Sequence, residues 1–360
     1  SPLNATAIDP SREISAITDF DGARVDAAPA ARLAEVRLRA GQFRKKMLAE
    51  SDVLYYRSIN LITVPYPVGY GLRDAAKCLS PFMNIFNRLF VVQYRSTTGV
   101  KTLLFSPSDI VADEKTPYFQ TLLNTPLRPL LEKVLVPFRR TVEEALALTG
   151  IRPDQVDYIS YDHLHTQDVR KWMGSNGSAG YFPNAKLLVM RQEWESAKAL
   201  LPMQAMWYCP NGISGLDPAR VVLLDSSVRL GDGVALVHTP GHTEGNHSLV
   251  AKTPEGLMVT SENGVSADSY SPRASKIGGV RAFAERYGVD VIMNANTLEN
   301  SNDQYISMEL EKAIAGPANR NPAFYNIVPS SELTPNFFFP GLKPTFSFGE
   351  LEFGRPVLGA

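Results

Sequence analysis

The residues of this chain best suited to chemistry are its five histidines, which fall in two short stretches. His163 and His165 sit one residue apart in DYISYDHLHTQDVR (157–170), after an apolar, strand-like run, and His238, His242 and His247 lie in VHTPGHTEGNHSL (237–249). Two imidazoles one residue apart on a turn at a strand end can be aimed at one ion, but they cannot complete a tetrahedral site, so a third ligand must come from elsewhere. His242 is the candidate, because Thr-Pro-Gly forces a tight turn and leaves it at the tip beside Glu244. His238 and His247 are then spare, suited to bracing the loops through hydrogen bonds. Glu262 ends the apolar run GLMVTSE (256–262), where a carboxylate is costly to bury without a cation or hydrogen bonds.

The elements that must hold these residues follow from periodicity. AARLAEVRLRAGQFRKKMLAES spaces apolar residues as an amphipathic helix does, and residues 1–30 before it form an arm rich in Ala, Asp, Ser and Pro. From Leu54, LYYRSINLITVPYPV, RLFVVQYRS and VKTLLFSPSD have strand texture, the last two joined by an STTG turn. Residues 118–149 read as two or three helices joined at prolines, capped by Gly150. Strands follow at DQVDYISY, AKLLVM (running into a helix), ARVVLLD, VRLGDGVALVHTP, HSLVAKT and GLMVTSE, then the helix GGVRAFAERYG and a last strand, VDVIMNA. Strands in groups with helices between and after them predict two sheets covered by helices, an αββα sandwich. The tail 316–360, rich in Pro, Phe and Gly, is expected to pack on the body. The boundaries expected are 1–53 for arm and helix, 54–315 for the sandwich and 316–360 for the extension.

With 36 basic against 37 acidic side chains and no basic run, neither nucleic acid nor an anionic membrane is expected as a partner. Cys78 and Cys209 are too few for a disulfide framework or a thiolate cluster. No apolar run approaches the roughly twenty residues of a membrane span, and a cytoplasmic location is the default. The arm and the aromatic tail are common means of building a homodimer. The stretch GSNGSAG (174–180) lacks the Lys-Ser/Thr of a phosphate-binding loop and signals flexibility near the site.

Taken together, these motifs resemble the metallo-β-lactamase superfamily. GIRPDQVDYISYDHLHTQD resembles its strand followed by H-x-H-x-D-H, FPNAKLLVMRQEWE its usual continuation, and VHTPGHTEGNHSL its T-P-G-H-T loop, in order and spacing from about residue 54 to 300. The resemblance implies a four-layer α/β fold, the αββα sandwich, with a metal cleft at the sheet edges. It also implies hydrolysis by a metal-bound hydroxide. On this alignment His163, His165 and His242, with Glu262 in place of the bridging Asp, would make one site of three nitrogens and one oxygen. The chain departs from the pattern at Gln167 and Asp168, where the family has Asp and His; at Asp162, where it has Thr or Ser; and at Asn296, near its last histidine. Two ligands of the family's second metal thus become amides, poor ligands for zinc, and one zinc is the expected cofactor, with iron or manganese as alternatives.

The function expected is a metal-dependent hydrolase cleaving an ester, lactone or amide of a small, fairly apolar molecule. Asp168 is expected as general base and Gln167 as an orienting amide, with Asp162, Asn296, His247 and Trp207 contacting substrate or bracing the ligands. Substrate is expected to be selected by loops 60–85, 174–182 and 202–216. The alternatives are a mononuclear non-haem iron oxygenase, and a metal-free lyase, isomerase or binding protein.

Overall fold

Many of the runs that become strands bury both faces, so that odd and even residues point into different cores. The computed structural model describes residues 3–4, 13–126, 128–295 and 300–359. The strands in chain order are β1 (Leu3–Asn4), β2 (Ser15–Ala16), β3 (Tyr55–Pro67), β4 (Phe82–Ser96), β5 (Gly99–Phe105), β6 (Tyr158–Ser160), β7 (Lys186–Met190) and β8 (Val221–Leu224). They continue with β9 (Val228–Gly231), β10 (Val234–His238), β11 (His247–Thr253), β12 (Gly256–Thr260), β13 (Ser331–Thr334) and β14 (Glu352–Gly354). The longer helices are α1 (Pro29–Leu48), α2 (Pro117–Leu123), α3 (Arg128–Leu135), α4 (Val142–Ala147), α5 (Arg191–Lys198), α6 (Val280–Tyr287) and α7 (Ser301–Ala315). Among the described residues, one sheet has nine strands in the order β1-β8-β7-β6-β5-β4-β3-β14, with β13 also on β4, and the other has five in the order β12-β11-β10-β9-β2.

Phe90, Val92, Leu188 and Val222 of the larger sheet meet Leu230, Leu236, Leu249 and Met258 of the smaller in the core between the sheets. Their neighbours point outward. Leu89, Val91, Leu187 and Val189 build a second core with Val142 and Leu146 of α4 and with Trp172. On the other side, Ala235, Val237, Val250, Leu257 and Val259 carry Val36, Ala40, Phe43 and Met47 of α1 and Ile306, Leu310 and Ile314 of α7. Helix, sheet, sheet, helix is the expected order, and it follows from the period of two in strands buried on both faces. Among the described residues no helix is long and apolar enough to cross a membrane.

Four expectations change in detail. VRLGDGVALVHTP is two strands, because Asp232-Gly233, with Gly233 at φ 72°, turns the chain back on itself. Residues 289–295 form no strand; their N–H groups go to loops instead, Ile292 to the Ser269 carbonyl, Asn294 to that of Asn263 and Ala295 to that of Tyr70. The tail does more than cover the body, since β13 pairs with β4 and β14 with β3. Of the N-terminal arm, residues 1–2 and 5–12 lie outside the described residues, and β1 and β2 each join a sheet edge.

Candidate metal centre

Both histidine loops leave the ends of buried strands. β6 is held between β5 and β7 in parallel register, and the chain leaving Ser160 carries Asp162 to Asp168 over the sheet edge. Within this turn Thr166 takes φ 65°, a conformation a β-branched residue rarely adopts, and its N–H donates to the Trp207 carbonyl at 2.6 Å. In the other sheet His238 pairs with His247, closing a hairpin whose loop carries His242. The His247 N–H donates to the Asp162 carbonyl at 2.9 Å, tying the two loops together. Glu262 follows β12 by two residues.

The loops bring three buried imidazoles to one point. His242 Nε2 lies 3.1 Å from His163 Nε2 and 3.2 Å from His165 Nδ1. Glu262 Oε2 sits 2.9 Å from His163 Nε2 and 3.5 Å from His242 Nε2. Nitrogen donors about 2.0–2.1 Å from a tetrahedral ion stand roughly 3.3 Å apart, so the two spacings to His242 Nε2 suit one ion, and all three ligand atoms lie within 4.8 Å of one another. The tautomers point the same way. His163 Nδ1 faces the Asp162 carboxylate at 2.7 Å and His242 Nδ1 the Asn294 carbonyl at 3.2 Å, so both Nδ1 atoms carry protons. Each Nε2 then turns a lone pair toward the same point, an arrangement that a cation resolves.

Burial opposes charge on His163, yet Asp162 and Glu262 hold its pKa well above the usual imidazole value. Burial pushes that of His165 well down, helped by the two neighbouring imidazoles. Burial would also raise that of Glu262, but His163 and His242 hold it well below the usual carboxylate value. The Asp162 and Glu262 carboxylates favour positive charge beside His163, while burial and the neighbouring imidazoles oppose it on His165.

Residues not foreseen from the sequence hold this geometry. Buried Glu193, on α5, accepts from the Leu164 N–H at 2.8 Å, the Tyr208 hydroxyl at 3.0 Å and the Thr243 hydroxyl at 2.6 Å, buckling the His163 and His242 loops together. Asn263 accepts the His242 N–H at 3.0 Å and donates to Glu311 of α7 at 2.9 Å. Gln304, also on α7, donates to the carbonyls of Asn263 and Asn294. The only hint was a carboxylate at a strand-to-helix junction, in VMRQEW.

The other expected residues are placed as follows. Asp168, expected as the base, is held through both oxygens by Arg170, at 2.9 and 2.5 Å, and does not line the cavity over the histidines. The two side chains form an ion pair. Gln167 lines the cavity and donates to Ser108 at 2.9 Å, while its Oε1 has no partner among the described residues. Asp162 lies beneath His163, and His247 meets Ser160 at 2.9 Å, away from the ligand point. Trp207 lines the cavity, stacked on Tyr118 at 4.5 Å. Asn296 lies outside the described residues. Val64 and Tyr66 come from the first expected substrate loop and Trp207 from the third, but loop 174–182 contributes nothing to the lining. The cavity over the histidines, about 50 Å³, shares Val64, Asn87, Phe119 and Thr166 with a neighbour of about 300 Å³ lined by Ile62, Ile110, Leu122, Leu123 and Val136 and also by Asp113, Glu114, Glu132, Lys133 and Arg139.

No family model matches the chain. It is similar to N-acyl homoserine lactonase AttM of Azorhizobium caulinodans, 28% identical over 167 residues that cover 40% of this chain and 59% of that protein. It is also similar to an N-acyl homoserine lactonase of Bacillus sp, 31% identical over 114 residues covering 32% and 40%. The chain thus spans less than two thirds of these curated relatives. Among solved structures, a probable metal-dependent hydrolase from Staphylococcus aureus aligns with TM-score 0.49 at 13% identity, covering 72% of this chain and 84% of that one. The dizinc quorum-quenching lactonase AidC aligns at 0.48 and 10%, covering 86% and 97%.

Proposed function

We propose that this chain is a metal-dependent hydrolase that opens a lactone or ester of a small molecule bearing an apolar portion. The observation that carries the reading is the convergence of His163 Nε2, His165 Nδ1 and His242 Nε2, buried and spaced for one ion, with Glu262 beside them. The sequence relatives, named as lactonases, support it. An ion bound there would act as Lewis acid and bring its water to a pKa of about 7. Zinc is the ion proposed, since a nitrogen-rich tetrahedral set suits it.

The chain's own residues divide the remaining work. Glu262 Oε2, at the cavity wall, would complete the ligand set as its fourth donor. Gln167 orients the substrate through its free Oε1, because an amide cannot take the proton that the family's Asp can. The 50 Å³ space admits only the reacting group, and the 300 Å³ cavity beside it, apolar along Ile62, Ile110, Leu122, Leu123 and Val136, takes the rest. The division at residues 53 and 315, a cytoplasmic location and a homodimer belong to the same proposal; the two unpaired cysteines agree with a reducing compartment.

The test is elemental analysis of protein purified without added metal, followed by titration of acid released from lactones and esters of increasing apolar length. About one zinc per chain is expected, with metal and turnover both lost in His163→Ala and His242→Ala. Turnover that survives removal of all metal overturns the reading. A donor set of three imidazoles and one carboxylate also suits Fe(II), so iron in the protein together with oxygen consumption would favour the oxygenase reading.

A further inference from the structure

We infer that Asp162, anchored by Ser330 from the C-terminal segment, is the positioning residue for His163, so that the segment leading into strand β13 helps to build the metal centre. The inference rests on the metal reading of the same site. Asp162 Oδ1 accepts two hydrogen bonds from one residue, the His163 backbone N–H at 2.9 Å and its ring Nδ1–H at 2.7 Å. These two contacts fix both the side-chain rotamer and the tautomer of His163, and they aim Nε2 at the point shared with His165 and His242. A Thr or Ser in place of Asp162 would have a single oxygen and no charge to offer the ring.

The second oxygen, Oδ2, accepts the Ser330 hydroxyl. Ser330 is itself immobilised. Its carbonyl accepts the Arg88 N–H at 2.8 Å, and its own N–H donates to the Ser261 carbonyl at 3.3 Å, one residue before Glu262. Beyond it, the Arg88 guanidinium pairs with Glu332 in the core, and Asn87 donates to Ser331 at 2.5 Å. One residue of the C-terminal segment therefore touches the His163 side of the centre and the Glu262 side at once. Asp162 and Ser330 are both buried, at 4% exposure each, in the wall of the cavity over the histidines.

A carboxylate that merely satisfied core polar groups would affect stability and leave metal binding alone. Full-length Asp162→Asn and Ser330→Ala are therefore compared with the unaltered chain in three measurements: zinc affinity by competition with a chromophoric chelator, the visible spectrum of the cobalt(II) form, and the melting temperature with and without zinc. Asp162→Asn is expected to bind zinc roughly 10–100-fold more weakly. It should also show an altered cobalt spectrum and a smaller gain in melting temperature on adding zinc. Ser330→Ala, which leaves the carboxylate in place, should move all three the same way by less. Unchanged affinity and spectrum in both variants, whatever happens to the metal-free melting temperature, overturns the inference alone. An unaltered chain that takes up no metal overturns the metal reading, and this inference falls with it.

Discussion

Asp168 and His163 show how far a residue's type predicts its work. Both stand in the motif, but the arginine two residues beyond Asp168 curls back and occupies its carboxylate, with Arg170 donating from Nε, a terminal nitrogen and the backbone N–H. Asp168→Asn is accordingly expected to cost about 1–3 kcal/mol of stability, the range for weakening hydrogen bonds to a buried charged group, while the shape of the kcat–pH profile is kept. Urea unfolding and a pH series on one lactone check this; loss of a kcat limb at unchanged stability would restore Asp168 as base. Nearby Cys209 has its thiol raised to about 12 by burial and by the Asp168 charge, so it stays protonated and takes no nucleophilic role.

Among the elements, the His242 loop and α7 depend on close packing that periodicity does not report. A Cβ on Gly245 would lie 2.2 Å from the Glu193 backbone nitrogen, so no other residue lets the loop approach α5. Gly245→Ala should therefore destabilise by about 1–3 kcal/mol, as overpacking does, and should release a bound metal ion faster because the His242 loop must shift. Thermal melts and metal-release kinetics read both; an alanine variant that is stable and holds the ion normally would show that the contact is not needed. Helix α7 went unnoticed for a related reason. It buries Gln304, Ser307 and Glu311 along with Ile306, Leu310 and Ile314, so its sequence lacks the polar-outside contrast that marks a surface helix.

At the scale of the whole molecule, burial of His247 costs stability in acid, while His163, Glu311 and Glu332, whose pKa values are raised, work the other way. Burial pushes His247 down to about 3, whereas the unfolded chain titrates near 6.5. Between those values the unfolded state binds the extra proton, so the contribution is complete above about pH 6.5 and is lost as pH falls toward 3. His238 is lowered by burial too and works in the same direction. At pH 4.5 the His247 contribution amounts to about 2–3 kcal/mol. Urea midpoints at pH 7 and 4.5 should differ less in His247→Gln than in the unaltered chain; an equal difference would assign the acid sensitivity to other groups.

The sequence by itself determined the layer order and the three histidines. Period-two alternation and strand-end turns are local, and VHTPGHT and DHLHT each carry their geometry within a few residues. Glu262 already stood out in the sequence as an acid ending an apolar strand, but tertiary structure alone decided the long-range partners of the carboxylates. Asp162, Glu193 and Glu262 look alike in a sequence, each an acid next to a strand or turn, whereas Asp168 finds its partner Arg170 two residues on. Their partners are what separate them: Ser330 for Asp162, Tyr208 and Thr243 for Glu193, and His163 for Glu262. Each of these partners is distant in the chain, and a local pattern cannot encode a contact made only when two sheets and a returning C-terminal strand are brought together.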